Sequence, residues 1–301
     1  MSRPETVPPS LEQEPHRPTS PAPPRPRPRR RRTTAVNAGW YSTSTVLALL
    51  FLAPLVWSFF ISVSGPRATG GRGGFGADNY RRLLEYGEGL ATYSWNSVLV
   101  SALTVAGTLL VTVLGGYALA RFTFPGKNVL FVGALAILMI PHPTILIPLY
   151  TLLRLVNLQN SLIGVSLVLI MFQLPFGLFM MRNAFEGLPR ELEEAALLDG
   201  CRPFSALRHV LLRAVFPATI TVGMFAFLAS WNEFLTPLIL LTQGQKFTLP
   251  VALVSLRSGE FGTIDLGALQ AGIAVAAIPC LLIFVLLQRH YVRGFTAGAV
   301  R

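Results

Sequence analysis

Charge is scarce in this sequence. Of 301 residues, 13% are Asp, Glu, Lys or Arg and 52% are hydrophobic, whereas soluble domains carry about 25% charged residues. That shortage excludes an ordinary water-soluble globule and points to a lipid solvent. Cysteine is nearly absent. Cys201 and Cys280 are the only two, which excludes a disulfide framework and any cysteine-rich metal site. The four histidines, His16, His142, His209 and His290, have no metal-site spacing, so neither metal nor cofactor is expected. The chain has no G-x-x-x-x-G-K-[ST] phosphate loop. Its one Gly-Lys pair, Gly126-Lys127, is followed by Asn128, so it does not hydrolyse ATP by that mechanism. H-E-x-x-H and G-x-S-x-G are missing too, which removes the common hydrolase readings and leaves no catalytic residue to nominate. Gly71-Arg-Gly73-Gly-Phe-Gly76 matches G-x-G-x-x-G by letter. No strand precedes it and no helix opens after it, so it reads as a flexible loop rather than a dinucleotide site.

What is present is long apolar runs. Six segments are each long enough to cross a hydrocarbon core about 30 Å thick, which takes about 20 helical residues. They run at about 40–63, 94–120, 128–152, 161–181, 214–242 and 266–287. Spanning segments must satisfy their backbone polar groups internally, so helices are expected. The fold class is therefore an all-α integral membrane protein, with a permease domain over 39–290. Residues 1–38 form a Pro/Arg-rich tract, including Pro21 to Arg32, with too few apolar side chains to offset the entropy of ordering. It is expected to be a disordered tail with affinity for anionic lipid. Residues 291–301 form a second tail. The basic run has no interleaved aromatics, so nucleic acid is not an expected partner.

The positive charge is unevenly placed. Of 25 Lys and Arg residues, eighteen lie in the first tail, in the second-to-third and fourth-to-fifth loops and after the sixth segment; seven lie in the other loops. Cytoplasmic loops are enriched in Lys and Arg, so both termini and the long loop over 182–213 are expected inside, in a multi-pass protein of the bacterial plasma membrane.

That loop holds the most structured polar sequence. Pro189 suits a helix start, and Glu191, Glu193 and Glu194 suit the positive end of a helix dipole. Leu192, Ala195, Ala196 and Asp199 follow helical spacing. Gly200 is a natural left-handed stop. Pro203 opens a second helix, with Phe204, Leu207, Val210 and Leu211 expected on one face. From these residues alone, the loop is an amphipathic connector made of two short helices.

Glu233 is the single Asp, Glu, Lys or Arg well inside a segment, in the polar patch Ser230-Trp231-Asn232-Glu233. A charge at the bilayer centre costs about 2.5–3.5 kcal/mol on insertion scales. Trp231, Asn232 and Glu233 are thus candidate translocation-path residues; pairing of Glu233 with a neighbouring helix, or a place near the outer interface, is an equal alternative, and Trp231 could equally be an interface anchor. Pro141, Pro143, Pro148, Pro175 and Pro237 break or kink their helices, as hinges or as packing irregularities. Gly107, Gly115 and Gly116 suit close helix packing.

Glu194-Ala195-Ala196, followed after three residues by Gly200, resembles the "EAA" loop of ATP-driven importer permeases. Asp199-Gly200 resembles the sugar-importer version. The family's I-x-L-P reads Val210-Leu211-Leu212-Arg213 here, with Arg213 in place of proline, and Pro217 matches a second family proline. Asn96-Ser97 and Tyr117 to Arg121 resemble the family's second span, and Ile140-Pro141 and Ile147 to Tyr150 its third. Trp231 to Phe234 resembles its fifth, and Gly294 to Arg301 resembles the tail of the smaller membrane subunit of maltose-type importers. The resemblance covers about Trp40 to Arg301.

It implies a permease subunit that imports a sugar or related polar solute. Its partners would be a second homologous permease, a dimer of cytoplasmic ATP-binding subunits, an extracellular solute-binding protein and membrane lipid. Glu194, Ala195, Ala196, Asp199 and Gly200 would then couple to the ATPase. The rival is an ion-gradient-driven secondary transporter, which calls for ion-binding residues at mid-membrane and internal repeats; one Glu and no evident repeat speak against it.

Overall fold

In the computed structural model, the described residues are 32–64, 75–258 and 265–299. The chain divides into two compact units, Met1–Leu52 and Ala53–Arg301. The described part of the first is residues 32–52 of helix α1, Arg32–Val63. Its apolar side chains, Leu49, Leu50 and Phe51 among them, are exposed, as a lipid solvent allows. The tail residues 32–38 are helical; residues 1–31, most of the Gly71–Gly76 stretch, and Val300 and Arg301 lie outside the described residues.

In the second unit, α2 (Asp78–Glu85) leads into the long α3 (Leu90–Arg121). Then follow α4 (Lys127–Ala136), extended by a 3-10 turn at Ile137–Met139, and α5 (His142–Leu155). Next come α6 (Leu162–Glu186), α7 (Glu191–Leu198) and α8 (Pro203–Ala214). The series ends with α9 (Phe216–Trp231), α10 (Leu235–Leu240), α11 (Leu249–Ser258) and α12 (Leu266–Ala299). Among the described residues the only β pairing is one isolated bridge, Ser64 with Phe75, so the all-α expectation holds. α12 carries the helix through residues 291–299, which the sequence had suggested as a tail.

Four helical stretches are long and apolar enough to span a membrane unbroken: Trp40–Val63, Leu90–Arg121, Leu162–Glu186 and Leu266–Leu287. The expected third and fifth segments are not single straight helices. Lys127–Met139 and His142–Leu155 meet at 110°. The cause is local: Pro141 offers no N–H, and the residue before it is forced out of the helical region. Ile140 accordingly has φ −90°, ψ 124°. Pro148 and Pro175 sit inside continuous helices instead. In the fifth segment, α8 and α9 meet at 81° at Val215, with Pro217 in the first turn of α9. A second break follows at 232–234. Pro237 has no N–H for the carbonyl of Glu233, so the helix restarts at Leu235 rather than running on to 242.

The α3–α6 contact is the most extensive in the unit. It is built by small and hydroxylated residues. Ser97, Ser101, Thr104, Thr108 and Thr112 are buried along one stripe of α3. A Cβ on Gly116 would sit 2.6 Å from Cβ of Met181, so only glycine admits α6 at this distance. Such close approach is how helices associate when lipid removes the hydrophobic drive.

Candidate functional site

The loop between α6 and α9 folds as two helices around a glycine. Glu191, Glu193 and Glu194 occupy the first turn of α7, where the helix dipole favours anions. The helix begins two residues after Pro189, with Arg190 as N-cap. Its end is a Schellman stop. The Cys201 N–H donates to the Ala196 carbonyl (3.0 Å), and the Gly200 N–H donates to the Leu197 carbonyl (3.0 Å). Gly200 has φ 86°, the left-handed stop its position had indicated.

α8 departs from the expected face. Ala206 and Leu211 are fully buried, as are Leu207 and Val215 to within a few per cent, while Phe204 is 65% exposed. A π-helical turn over Leu207–Leu211 is responsible. It adds a residue to the turn and rotates Leu211 and Val215 onto the side of Ala206 and Leu207. Leu207, Leu211 and Val215 pack with Tyr117 of α3 and with Met181 and Phe185 of α6.

A polar clamp fastens α7 to the end of α3. Tyr117 Oη donates to Glu193 Oε1 at 2.6 Å. Arg121 Nε lies 3.2 Å from Glu193 Oε2, with side-chain exposures of 7% and 15%. That contact is a charge contact rather than a directed hydrogen bond; the directed bond is from Arg121 Nη2 to the Leu188 carbonyl, 3.1 Å. The rings of Phe122 and Phe185 meet the Tyr117 ring edge-on, at centroid distances of 5.5 and 5.6 Å. Sequence reasoning missed Glu193 as a structural strut. A signal was present: Tyr117 and Arg121, four apart at the end of a span, share one helix face and need an anion.

Of the five residues suggested for coupling, Glu194, Ala195, Asp199 and Gly200 are exposed together; Ala196 is buried within the chain. Ala196 therefore offers no docking surface of its own, because α7 turns that side toward the bundle. Leu198, 88% exposed, joins the exposed set and was not singled out from sequence.

Trp231, Asn232 and Glu233 form a joint rather than a single lining. Trp231 is buried, donates its indole N–H to the Ala276 carbonyl on α12 (2.9 Å) and stacks on Phe227. Asn232 Nδ2 donates to the Leu228 carbonyl at 2.8 Å and lies 3.8 Å from Cys280 Sγ. Glu233 Oε1 accepts from the Thr236 backbone N–H (2.9 Å) and hydroxyl (3.2 Å). The carboxylate satisfies a donor freed by the break before α10, which is why a charge is placed there. The groove beside Trp231, about 820 Å³ between α3, α9 and α12, is lined by Val105, Phe216, Gly223, Phe227 and their apolar neighbours. Among the described residues no three His, Cys, Asp or Glu side chains gather as metal ligands.

Comparison with known proteins adds to this geometry. Residues 111–297 match the family described as binding-protein-dependent transport system inner membrane component. The chain is 37% identical over 210 residues to the diacetylchitobiose uptake system permease protein DasC of Streptomyces coelicolor, covering 70% of this chain and 75% of that one. It is 30% identical over 267 residues to the trehalose transport system permease protein SugB of Mycobacterium tuberculosis, covering 87% and 97%. A crystal structure of a bacterial ABC transporter involved in the import of the acidic polysaccharide alginate superposes with TM-score 0.70 at 23% identity, over 89% of this chain and 99% of that one; it supports the fold.

Proposed function

The chain belongs to the family of binding-protein-dependent transport system inner membrane components, and on that premise we propose that it is the translocating subunit of an ATP-driven importer for a sugar or oligosaccharide. Diacetylchitobiose and trehalose, named for two relatives, indicate the solute class. ATP hydrolysis belongs to a separate chain, since no phosphate loop is present. The importer also comprises a second homologous permease, a pair of ATP-binding subunits inside and a solute-binding protein outside. The Lys/Arg distribution supports both termini and the α7–α8 loop on the cytoplasmic side, with the permease domain over about 39–290 flanked by tails.

The observation that carries the coupling role is the way α7 is held. Glu193 ties its inner side to α3, while Glu194, Ala195, Leu198, Asp199 and Gly200 face outward. A helix presented on one side and welded on the other transmits a push. When the ATP-binding subunits close, they displace α7; the ion pair and the aromatic cluster around Tyr117 pass that displacement to α3 and α6 as one body. The breaks at Ile140-Pro141 and at 232–234 are places where neighbouring segments pivot without losing helical hydrogen bonds. The shift requires that the ATPase bind the two states with different free energies. Moving the equilibrium from 1:99 to 99:1 takes about 5.5 kcal/mol.

Cysteine cross-linking tests the docking. With Cys201 and Cys280 replaced by Ser, Ala195→Cys and Leu198→Cys are expected to cross-link to the co-purifying ATPase chain, and buried Ala196→Cys is not. An assembled transporter with no cross-link from either exposed position would remove the docking assignment. Loss of disaccharide uptake on deletion of the chain, restored by its expression, tests the solute class.

A further inference from the structure

The two arms of the loop carry opposite charge. Past its N-cap Arg190, the exposed ionisable groups of α7 and its C-cap are acidic, Glu191, Glu194 and Asp199. On α8 and its cap they are basic: Arg202, Arg208, His209 and Arg213 are all exposed, and no acidic residue occurs between Asp199 and Glu233. The ion pairs of the described residues involve none of these arginines. His209 Nδ1 donates to the Ser205 carbonyl at 3.0 Å, which keeps its ring along the helix. The same exposed side bears Phe204, 65% exposed, and beyond its C-terminal end comes Phe216, 53% exposed. The π turn sorts the helix this way. It directs Ala206, Leu207 and Leu211 into the bundle and leaves the arginines on the open side.

Connectivity sets the depth of this face. α8 meets α9 at 81°, so with α9 crossing the bilayer α8 runs close to the membrane plane. Arg213 lies three residues before Phe216, the first residue of α9. That is headgroup level, where aromatic rings and cationic side chains both partition. A helix lying in the interface with cations on its polar side is an anionic-lipid binder, and guanidinium groups match phosphate by paired hydrogen bonds.

We propose that the exposed face of α8 docks anionic phospholipid headgroups, with Arg202, Arg208 and Arg213 as the phosphate-binding groups and Phe204 and Phe216 as interfacial anchors. The first arm of the loop then faces a protein partner while the second rests on the membrane. The inference goes beyond the coupling role and does not depend on it: it stands even if α7 docks no ATPase.

The test uses the full transporter in nanodiscs of phosphatidylcholine alone or mixed with phosphatidylglycerol, read by amide hydrogen exchange over 203–214. Each basic group near an anionic leaflet strengthens attachment about fivefold, so phosphatidylglycerol is expected to slow exchange in this segment by at least fivefold. Added salt, which screens exposed charges, is expected to abolish the slowing. The triple variant R202Q/R208Q/R213Q is expected to lose the lipid response while retaining its co-purifying ATPase. Identical exchange of the wild type in both lipids would overturn the proposal, as would slowing that persists in high salt. A triple variant that loses its ATPase but keeps the lipid response would assign the face to the protein partner instead. The salt titration needs only the wild type, so it decides the matter even if the triple variant does not assemble.

Discussion

The junctions on the two sides of α3 are held by different chemistry. On the Leu90 side, where α2 leads into α3, the neutral amide of Asn79 ties α2 to the end of α1. Its Nδ2 donates to the carbonyls of Ile61 (3.2 Å), Ser62 (2.8 Å) and Ser64 (2.9 Å), and it is buried. The ion pair there, Arg82–Asp265 at 2.8 Å, keeps 40% and 26% of its side chains exposed. At the Arg121 end the order is reversed: the ion pair Arg121–Glu193 is the more enclosed element, its side chains 7% and 15% exposed, beside the Tyr117 ring that Phe122 and Phe185 meet edge-on. A charge pair in water is screened and contributes little. One in a dry pocket is costly to leave half-made. The lesson is that the same Arg–carboxylate pairing is peripheral at one end and structural at the other. The stiffer fastening belongs to the end that carries the loop.

That contrast yields a ranked set of expectations. Glu193→Ala strands Arg121 without its counter-charge and is expected to cost about 3–5 kcal/mol, read as a large fall in the midpoint of thermal unfolding in detergent. Pairing it with Arg121→Met should recover much of the loss, since removing both charges removes the penalty. A double variant no better than the single one would show that the pair is not the source. Asn79→Ala leaves buried carbonyls without a donor and is expected to cost about 2–3 kcal/mol, with the first effect on hydrogen exchange at the α1–α2 junction. Tyr117→Phe removes one short bond to a carboxylate, about 1.5 kcal/mol. It is the more informative change for function, because the ring packing stays. If α7 drives α3 through this clamp, ATP hydrolysis should continue while solute moved per ATP falls. Asp265→Asn is expected to stay below about 1 kcal/mol and to vanish in high salt. A large, salt-insensitive effect there would erase the distinction between the two ends.

How much of this was legible in the residues varied by element. α1, α3, α6 and α12 were legible as apolar runs, because a helix in lipid is demanded by composition over about 20 residues. The break at Ile140-Pro141 was legible as a proline but not as a 110° turn, since the angle depends on how α5 settles, with His142 stacked on Phe172 of α6. Gly200 was readable to the residue, because a left-handed stop is a property of one position. The exposed face of α8 was misjudged, because 3.6-residue periodicity does not anticipate a π turn. Glu233 was flagged as an intramembrane charge. Its hydrogen-bond role at the start of α10 emerged only once the break after Trp231 was placed.

By itself, then, the sequence determined the solvent, the helical class, the approximate spans, the absence of a phosphate loop and the glycine that ends α7. All of these follow from requirements that a short stretch of chain meets alone, above all that backbone polar groups in lipid be satisfied internally. Tertiary structure decided which of three neighbouring glutamates turns inward to Tyr117 and Arg121, which side of α8 is covered and what Trp231 touches. These depend on residues such as Tyr117 and Glu193, 76 positions apart, whose meeting is set by the close approach of α3 to α6. The α3–α6 distance is in turn set by Gly116 against Met181. A pair contact of that kind is invisible to any local rule, because neither partner alone carries the reason for the other's position.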